Sequence, residues 1–224
     1  MQRRDLLRPD VAIGLLCGLA LVVVTERRLL GSYGPSGQVE VAAVVLYAAS
    51  VWLAVKRSIL TWPSGIAATG LYLYLFSEWR LYADAGLQLV FIAFSAWGWL
   101  AWSRGAEPTA PAARRIPAER LVLVLLSVGA GTALIRAYLA EVGGAAPFWD
   151  ALLTSGSLGA LYLLIRGYVA TWSFWIALDV AYVALFWTRE LYLSAALYAL
   201  LLAMAVRAAL EWRSLLRAPA PVPA

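Results

Sequence analysis

Two segments of this chain repeat each other without a gap, and the repeat restricts the folds that the chain can adopt. Residues 62–102 align with residues 172–212 at a constant offset of 110 residues. Aromatic residues match along the alignment, which chance pairing of two apolar stretches rarely produces: Trp62 with Trp172, Tyr72 with Tyr182, Phe76 with Phe186 and Trp102 with Trp212. A parallel repeat of this kind predicts two equivalent structural halves.

The composition predicts an integral membrane protein. Of the 224 residues, 63% are hydrophobic and 14% charged, and the mean hydropathy is +0.77. Apolar segments of about 20 residues, the length of a membrane-spanning helix, recur along the whole chain. We therefore predict an all-α fold with about eight transmembrane helices, near residues 10–25, 39–55, 59–76, 84–102, 120–140, 148–165, 171–187 and 191–211.

The order of these segments predicts five regions. Residues 1–38 hold an N-terminal helix and a loop, with the single cysteine, Cys17, in the helix. We expect this helix to be retained, because Thr25-Glu-Arg-Arg lacks the small-residue pattern of a signal cleavage site. The two three-helix repeats occupy 39–102 and 148–213. A flexible linker and an inverter helix lie between them at 103–147, so that both repeats run in the same direction, and 214–224 form a disordered tail.

The basic residues predict the orientation of the chain. If the N-terminus is cytoplasmic, most arginines fall on the cytoplasmic side, together with the only lysine, Lys56. The positive-inside rule therefore places both termini in the cytoplasm. The net charge of +5 and the pI near 9.6 then follow from topology and from contact with anionic membrane lipid, and no nucleic-acid partner is predicted.

A carboxylate near the middle of a predicted helix is the strongest candidate for a functional group. Trp172, Trp175, Asp179 and Tyr182 lie three and four residues apart, on one face of the helix that begins near Thr171. An acid at the bilayer midplane costs about 2.5 to 3.5 kcal/mol, so it is expected to face a cavity or a partner. The alternative is a structural Asp whose hydrogen bonds hold helices together.

The first repeat has smaller residues where the second has Trp175 and Asp179. Its corresponding stripe contains Gly65, Thr69 and Tyr72, which would leave room for a flat ligand. On the third helix of this repeat, Gln88 and Trp99 share a face, and a Gln amide can bind hydroxyl or carboxamide groups. The matched Trp residues at helix ends, namely Trp62, Trp172, Trp102 and Trp212, are expected in an interfacial aromatic belt.

Several chemistries lack the residues that they need. The chain has no histidine, and Lys56 lies in a loop, so haem and retinal sites are not predicted. A paired carboxylate or a Ser-base arrangement for proteolysis is also missing, and we predict no enzyme activity, no cofactor and no metal site. A purely structural scaffold is the remaining alternative to a transporter.

Several motifs resemble those of one transporter family. Trp62-Pro-x-Gly-Ile, Leu81-Tyr82-x-Asp84-x-x-Leu87-Gln88, Gly98-Trp99-x-x-Trp102 and Trp172-x-x-Trp175-Ile176 with Asp179 resemble the PnuC-type nicotinamide riboside transporters, over residues 40–212. The resemblance implies a fold related to full-length SWEET transporters, a homotrimer in the bacterial inner membrane and a vitamin bound between the three-helix repeats. It also implies facilitated diffusion with trapping in the cytoplasm, and it points to Trp172, Trp175, Asp179 and Gln88 as ligand contacts.

The charge of Asp179 bears on the substrate. An ionised carboxylate beside Trp faces favours a flat cation, such as nicotinamide riboside or thiamine, over neutral riboflavin. We predict nicotinamide riboside first, with thiamine as the alternative and riboflavin or a deoxynucleoside behind it. Facilitated diffusion is the predicted mechanism, and proton coupling through Asp179 is the alternative.

Overall fold

A computed structural model describes residues 35–78, 80, 82–104, 111–143, 146–189 and 192–216. The predicted N-terminal helix at 10–25, with Cys17, lies outside the described residues. So do residues 217–224, which make up most of the predicted tail.

Seven α-helices account for nearly all of the described chain, and they match the seven predicted segments after the first. Each extends somewhat beyond its apolar stretch, because a helix continues until a turn former or a cap ends it. In chain order they are α1 (Pro35–Val55), α2 (Thr61–Glu78), α3 (Tyr82–Ser103), α4 (Ala118–Glu141), α5 (Pro147–Ile165), α6 (Ala170–Thr188) and α7 (Tyr192–Leu215). The last bound differs from the prediction, since helix continues past residue 214.

Six of these seven helices are long and apolar enough to cross a membrane. Helix α2 is not among the six, because it begins with Thr61-Trp-Pro-Ser-Gly and ends with Ser77-Glu78, which lower its mean hydropathy. Its counterpart in the repeat, α6, is one of the six. The chain is thus an all-helical, multi-pass membrane protein.

The described chain divides into two compact units. One holds α1, α2 and most of α3, and the other holds residues 55–59, the end of α3 and helices α4 to α7. In the second unit α4 packs on α5, α5 on α6, and α6 on α7. Two buried apolar clusters lie where α5 meets its neighbours: one around Leu163 and Tyr168, and one around Leu153, Ala160 and Leu178.

Each unit contains the same hydrogen bond, between the first and second helices of its repeat. In the first unit Thr61 Oγ1 donates to the carbonyl of Ser50 at 2.7 Å. In the second unit Thr171 Oγ1 donates to the carbonyl of Ala160 at 2.8 Å. Both pairs are separated by the 110-residue offset, so the repeat seen in the sequence is also a repeat of packing.

A second pair of equivalent bonds links the two repeats to each other inside the second unit. The indole N–H of Trp102 donates to the carbonyl of Ile165 at 3.1 Å, and that of Trp212 donates to the carbonyl of Val55 at 3.2 Å. In each case the end of a third helix bonds to the end of the first helix of the other repeat. These carbonyls are ones that a helix C-terminus leaves without an intrahelical donor.

The aromatic-belt interpretation of these Trp residues is therefore wrong. Trp62, Trp102, Trp172 and Trp212 are all buried, at 3% exposure or less. Two of them donate to protein carbonyls, whereas a belt residue would reach toward lipid headgroups. The spacing in the sequence was the same for both interpretations, and only tertiary packing distinguished them.

The predicted flexible linker is wrong for residues 111–117. Arg114 forms a parallel bridge with Tyr168: its N–H donates to the Gly167 carbonyl, and its carbonyl accepts from the Val169 N–H, both at 3.1 Å. Gly167 has φ +72°, and a Cβ there would lie 3.1 Å from the carbonyl oxygen of Ala112. A glycine suits both the conformation and the close approach, and it holds this segment against the α5–α6 turn.

Candidate functional site

Asp179 is the middle residue of α6 and is almost completely buried, at 5% exposure. It is the only acidic side chain among the buried residues of the described chain. No basic side chain and no hydrogen-bond donor among the described residues compensates the cost of burying this carboxyl group. At a rise of about 1.5 Å per residue, the group lies about 13 Å from either end of its helix, which is long enough to cross the membrane. An acid in this position is a functional-site candidate on physical grounds.

Two aromatic side chains flank Asp179 on α6, one turn before it and one turn after it. Trp175 and Tyr182 are both half-buried, and both pack against the cluster formed by Leu153, Ala160 and Leu178. They therefore turn toward the protein, and neither points freely into lipid.

Tyr182 belongs to a stack of three rings. Its ring centroid lies 4.3 Å from that of Tyr198 on α7 and 5.9 Å from that of Phe186, and the Phe186 and Tyr198 centroids are 5.3 Å apart. Tyr198 was not among the predicted site residues. The repeat could have indicated it, because Tyr198 lies 110 residues after Gln88, which was predicted as a site residue.

Trp172 lies in the first turn of α6 and is 1% exposed. Its ring meets that of Trp212 edge to face, with centroids 5.6 Å apart. The Trp172 indole N–H is buried and finds no acceptor in the part of the chain that the structure describes. Trp172 thus lies two turns from Asp179, in the packed end of the helix.

A half-buried cation lies over the ring of Trp212. The Arg57 guanidinium lies 5.5 Å from the Trp212 ring centroid and donates to the carbonyl of Pro111 at 2.6 Å. Burial lowers the pKa of this guanidinium from its ordinary value, but an arginine stays charged under all physiological conditions. At this end of the second unit, Trp172 therefore lies among packed side chains.

The remaining predicted site residues are placed as follows. In the first unit, Thr69 donates its hydroxyl to the Gly65 carbonyl at 2.8 Å, the Tyr72 ring stacks on Phe76 at 5.9 Å, and Gln88 is half-buried on α3. Trp99, in the second unit, is 43% exposed. The structure groups Trp175, Asp179 and Tyr182 on one helix.

Because of the repeat, α6 can be compared with α2 position by position. Trp175 and Asp179 of α6 occupy the positions of Gly65 and Thr69 in α2. Thr69 satisfies its hydroxyl within its own helix, whereas Asp179 has no such local partner. A buried carboxyl group between two aromatic side chains is therefore found in the second helix of the second repeat and not in that of the first.

Comparison with known proteins identifies the family of the chain. Residues 37–214 match the family model described as nicotinamide mononucleotide transporter. The chain belongs to this family. Membership confirms the resemblance found from the motifs, and it places the chain among transporters instead of enzymes.

Two relatives and one solved structure are informative. The chain is 26% identical over 189 residues to the nicotinamide riboside transporter PnuC of Escherichia coli (strain K12), covering 72% of this chain and 79% of the relative. It is 31% identical over 140 residues to the riboflavin/roseoflavin transporter RibM of Streptomyces davaonensis, covering 59% of this chain and 64% of the relative. A crystal structure of the vitamin B3 transporter PnuC superposes with a TM-score of 0.73 at 21% identity, over 94% of this chain and 93% of that one. The last likeness confirms the fold.

Proposed function

We propose that this protein carries nicotinamide riboside across the bacterial inner membrane, through a site centred on Asp179. The observation that carries the proposal is a buried carboxylate in the middle of a membrane helix, with Trp175 and Tyr182 one turn on either side. The relative named as a nicotinamide riboside transporter supports the choice of substrate.

The charge of the substrate fits this site. Nicotinamide riboside carries a flat pyridinium cation, and a cation over an aromatic face gains about 0.5 to 2 kcal/mol. A carboxylate attracts the same cation more strongly in a low-dielectric site than in water. The mononucleotide would add a phosphate of about −1.5 to −2 charge next to Asp179, so the site favours the riboside.

A riboflavin-type substrate is the second candidate, because the RibM relative is 31% identical to this chain. Riboflavin offers a flat ring system for the aromatic side chains but no positive charge for Asp179. Removing the charge from Asp179 should therefore weaken the binding of nicotinamide riboside and leave riboflavin binding unchanged or improved.

Facilitated diffusion is the mechanism that we propose, with substrate trapped by a later reaction in the cytoplasm. The chain has no histidine, and Asp179 is the single buried acid of the described residues, so it offers few groups for a proton relay. Uptake into proteoliposomes with and without a pH gradient tests this. Accumulation of unmodified substrate above equilibrium, driven by the gradient, would replace facilitation with proton coupling through Asp179.

Ligand titration of the purified protein tests the substrate and the site together. Tryptophan fluorescence is followed while nicotinamide riboside, thiamine or riboflavin is added. We expect nicotinamide riboside to bind most tightly and Trp175→Ala to weaken it. Trp187→Ala is the matched control, since Trp187 lies on the same helix but is 63% exposed. Tighter binding of thiamine or riboflavin would change the substrate, and equal binding by both Trp variants would remove Trp175 from the site.

Three further features are part of the proposal and rest on resemblance and on the charge pattern. We propose a homotrimer, with both termini in the cytoplasm and with Gln88 contributing to substrate binding from the first repeat. Mass measurement of the detergent-solubilised protein tests the trimer, and reporter fusions at each end test the orientation. The Gln88→Ala variant should bind nicotinamide riboside more weakly than the parent protein.

A further inference from the structure

A cavity of about 300 Å³ opens at one end of the second unit, away from Asp179. It forms where the segment before α4, the start of α6 and the end of α7 meet. Its walls combine apolar and basic side chains, chiefly those of Arg115, Ile116, Val169, Ser173, Arg213 and Leu216.

The two arginines of this cavity are available to a ligand. Neither Arg115 nor Arg213 forms an ion pair or a hydrogen bond with any described residue. Glu211, close to Arg213 in sequence, is already bound by Arg207 at 2.8 Å and by Lys56 at 3.4 Å. No acidic residue is present among the described residues that line the cavity. Its charge is therefore positive and uncompensated.

The backbone holds Arg115 in place. The bridge between Arg114 and Tyr168 fixes this segment, and the Arg114 guanidinium lies over the Tyr168 ring at 4.7 Å. Successive side chains of an extended segment point to opposite sides. Arg115 is accordingly directed away from Tyr168, toward α6 and α7, and it reaches the cavity without the cost of ordering a loose loop.

The chemistry of the lining selects a phosphate group. A guanidinium binds phosphate through two parallel N–H donors, and two of them can neutralise its charge. Ser173 lies in the first turn of α6, where the helix dipole adds positive potential. Ile116, Val169 and Leu216 provide an apolar wall for the body of the ligand. We propose that this cavity binds a phosphate-bearing anion, either the headgroup of an anionic phospholipid or a soluble phosphate monoester.

The polar lining of this cavity does not follow from the repeat. The residues 110 positions before Ser173 and Arg213 are Pro63 and Ser103, which carry no charge and, in the case of proline, no donor. Arg115 lies in the segment between the repeats, so neither arginine has a basic counterpart in the first repeat. They are also distinct from the substrate site, whose central group is a carboxylate that would repel phosphate.

Calorimetric binding to the full-length protein in neutral detergent tests the proposal with three probes. Dioctanoyl phosphatidylglycerol represents the lipid, adenosine 5′-monophosphate the soluble monoester, and dioctanoylglycerol an apolar ligand without phosphate. We expect Arg115→Gln and Arg213→Gln each to weaken phosphate binding about tenfold, the ratio produced by losing one charge-assisted hydrogen bond. Arg104→Gln is the matched control, because Arg104 is an exposed arginine just after α3, at the corresponding end of the first repeat.

Each outcome decides a point. Loss of phosphatidylglycerol binding in the two cavity variants but not in the control supports a lipid ligand. The same pattern with the monophosphate supports a soluble one. If dioctanoylglycerol binds as tightly as phosphatidylglycerol, if all three variants behave alike, or if neither phosphate probe binds, the cavity is not a phosphate site. Circular dichroism and gel filtration of the variants separate a lost site from a lost fold.

Discussion

The two repeats share a frame but differ in the chemistry placed on it. Both begin their second helix with a Thr that donates to the first helix, and both end their third helix with a Trp that donates across to the other repeat. Only the second has a buried carboxylate in its second helix and an arginine in the last turn of its third helix. Repeated positions near helix ends thus make the cross-helix hydrogen bonds, whereas positions that break the repeat are those at which we propose that ligands bind.

The first helix of the second repeat is also more buried than the first helix of the first repeat. Half of the membrane-spanning stretch of α5 is buried in the protein, compared with 22% of the corresponding stretch of α1. Helix α4 packs on α5, where Gly159 lets it approach closely. Helix α6, which holds Trp175 and Tyr182, therefore packs on a helix that is itself packed on two sides.

Removing the charge of Asp179 tests the difference between the repeats most strongly. Asp179→Asn should weaken nicotinamide riboside binding about 100-fold, because a carboxylate contact to a cation is lost. Thr69→Val at the equivalent position should have little effect, since the Thr69 hydroxyl bonds only within its own helix. Equilibrium titration measures both.

Thermal unfolding of the same variant separates binding from architecture. A buried charge without a basic partner destabilises a protein, so Asp179→Asn should unfold at the same or a higher temperature. A marked fall in its melting temperature would mean that Asp179 holds helices together, and the structural interpretation would then replace the binding one.

The next largest effect is expected at Gly159, where α4 and α5 are in contact. A Cβ at Gly159 would lie 2.8 Å from Val128 Cγ2, and Val128 is too stiff at χ1 to move aside easily. Gly159→Leu should therefore lower stability by about 2 kcal/mol through overpacking. Ala49→Leu, at the same position of the first repeat, should cost less. Equal losses in the melting temperature would show that the first repeat is packed as closely there.

The cross-repeat Trp bonds should have matching effects. Trp102→Phe and Trp212→Phe each remove an indole donor from a buried carbonyl, at a cost of about 1 to 2 kcal/mol. If the frame is symmetric, the two melting temperatures should fall by similar amounts. A loss confined to one variant would show that the two hydrogen bonds contribute differently to stability despite their similar lengths.

The smallest effect is expected at the ion pairs of Glu211. Its partners Lys56 and Arg207 are part-exposed, and such pairs contribute under about 1 kcal/mol. Glu211→Gln should change the melting temperature only slightly, and less at high salt. A loss as large as that of Trp212→Phe would show that the ion pairs of Glu211 stabilise the protein as much as the Trp212 hydrogen bond does.

Sequence reasoning located the helices well because apolar length and period are local properties. It also found the repeat, which depends on a constant offset along the chain, and Asp179 with its two aromatic neighbours, which depend on spacing along one helix. It missed Tyr198, which joins Tyr182 only through the packing of α7 on α6. It also misassigned Trp102 and Trp212, since a Trp at a helix end can face either lipid or a protein carbonyl with the same spacing.

The segment at 111–117 shows the same division. Its Pro, Ala and Arg composition is typical of a linker, and the turn at Gly167 that binds it lies more than 50 residues away. The pairing of Arg114 with Tyr168, and with it the position of Arg115 at the cavity, therefore could not be deduced from local composition.

The sequence by itself determined a membrane protein of parallel three-helix repeats with one acidic side chain at the centre of a helix, because hydropathy, periodicity and offset are written along the chain. Tertiary structure alone decided which faces are buried, which carbonyls the indoles reach and where unpaired arginines meet a cavity. The physical reason is that burial and hydrogen bonding join residues far apart in sequence, whose approach no local pattern encodes.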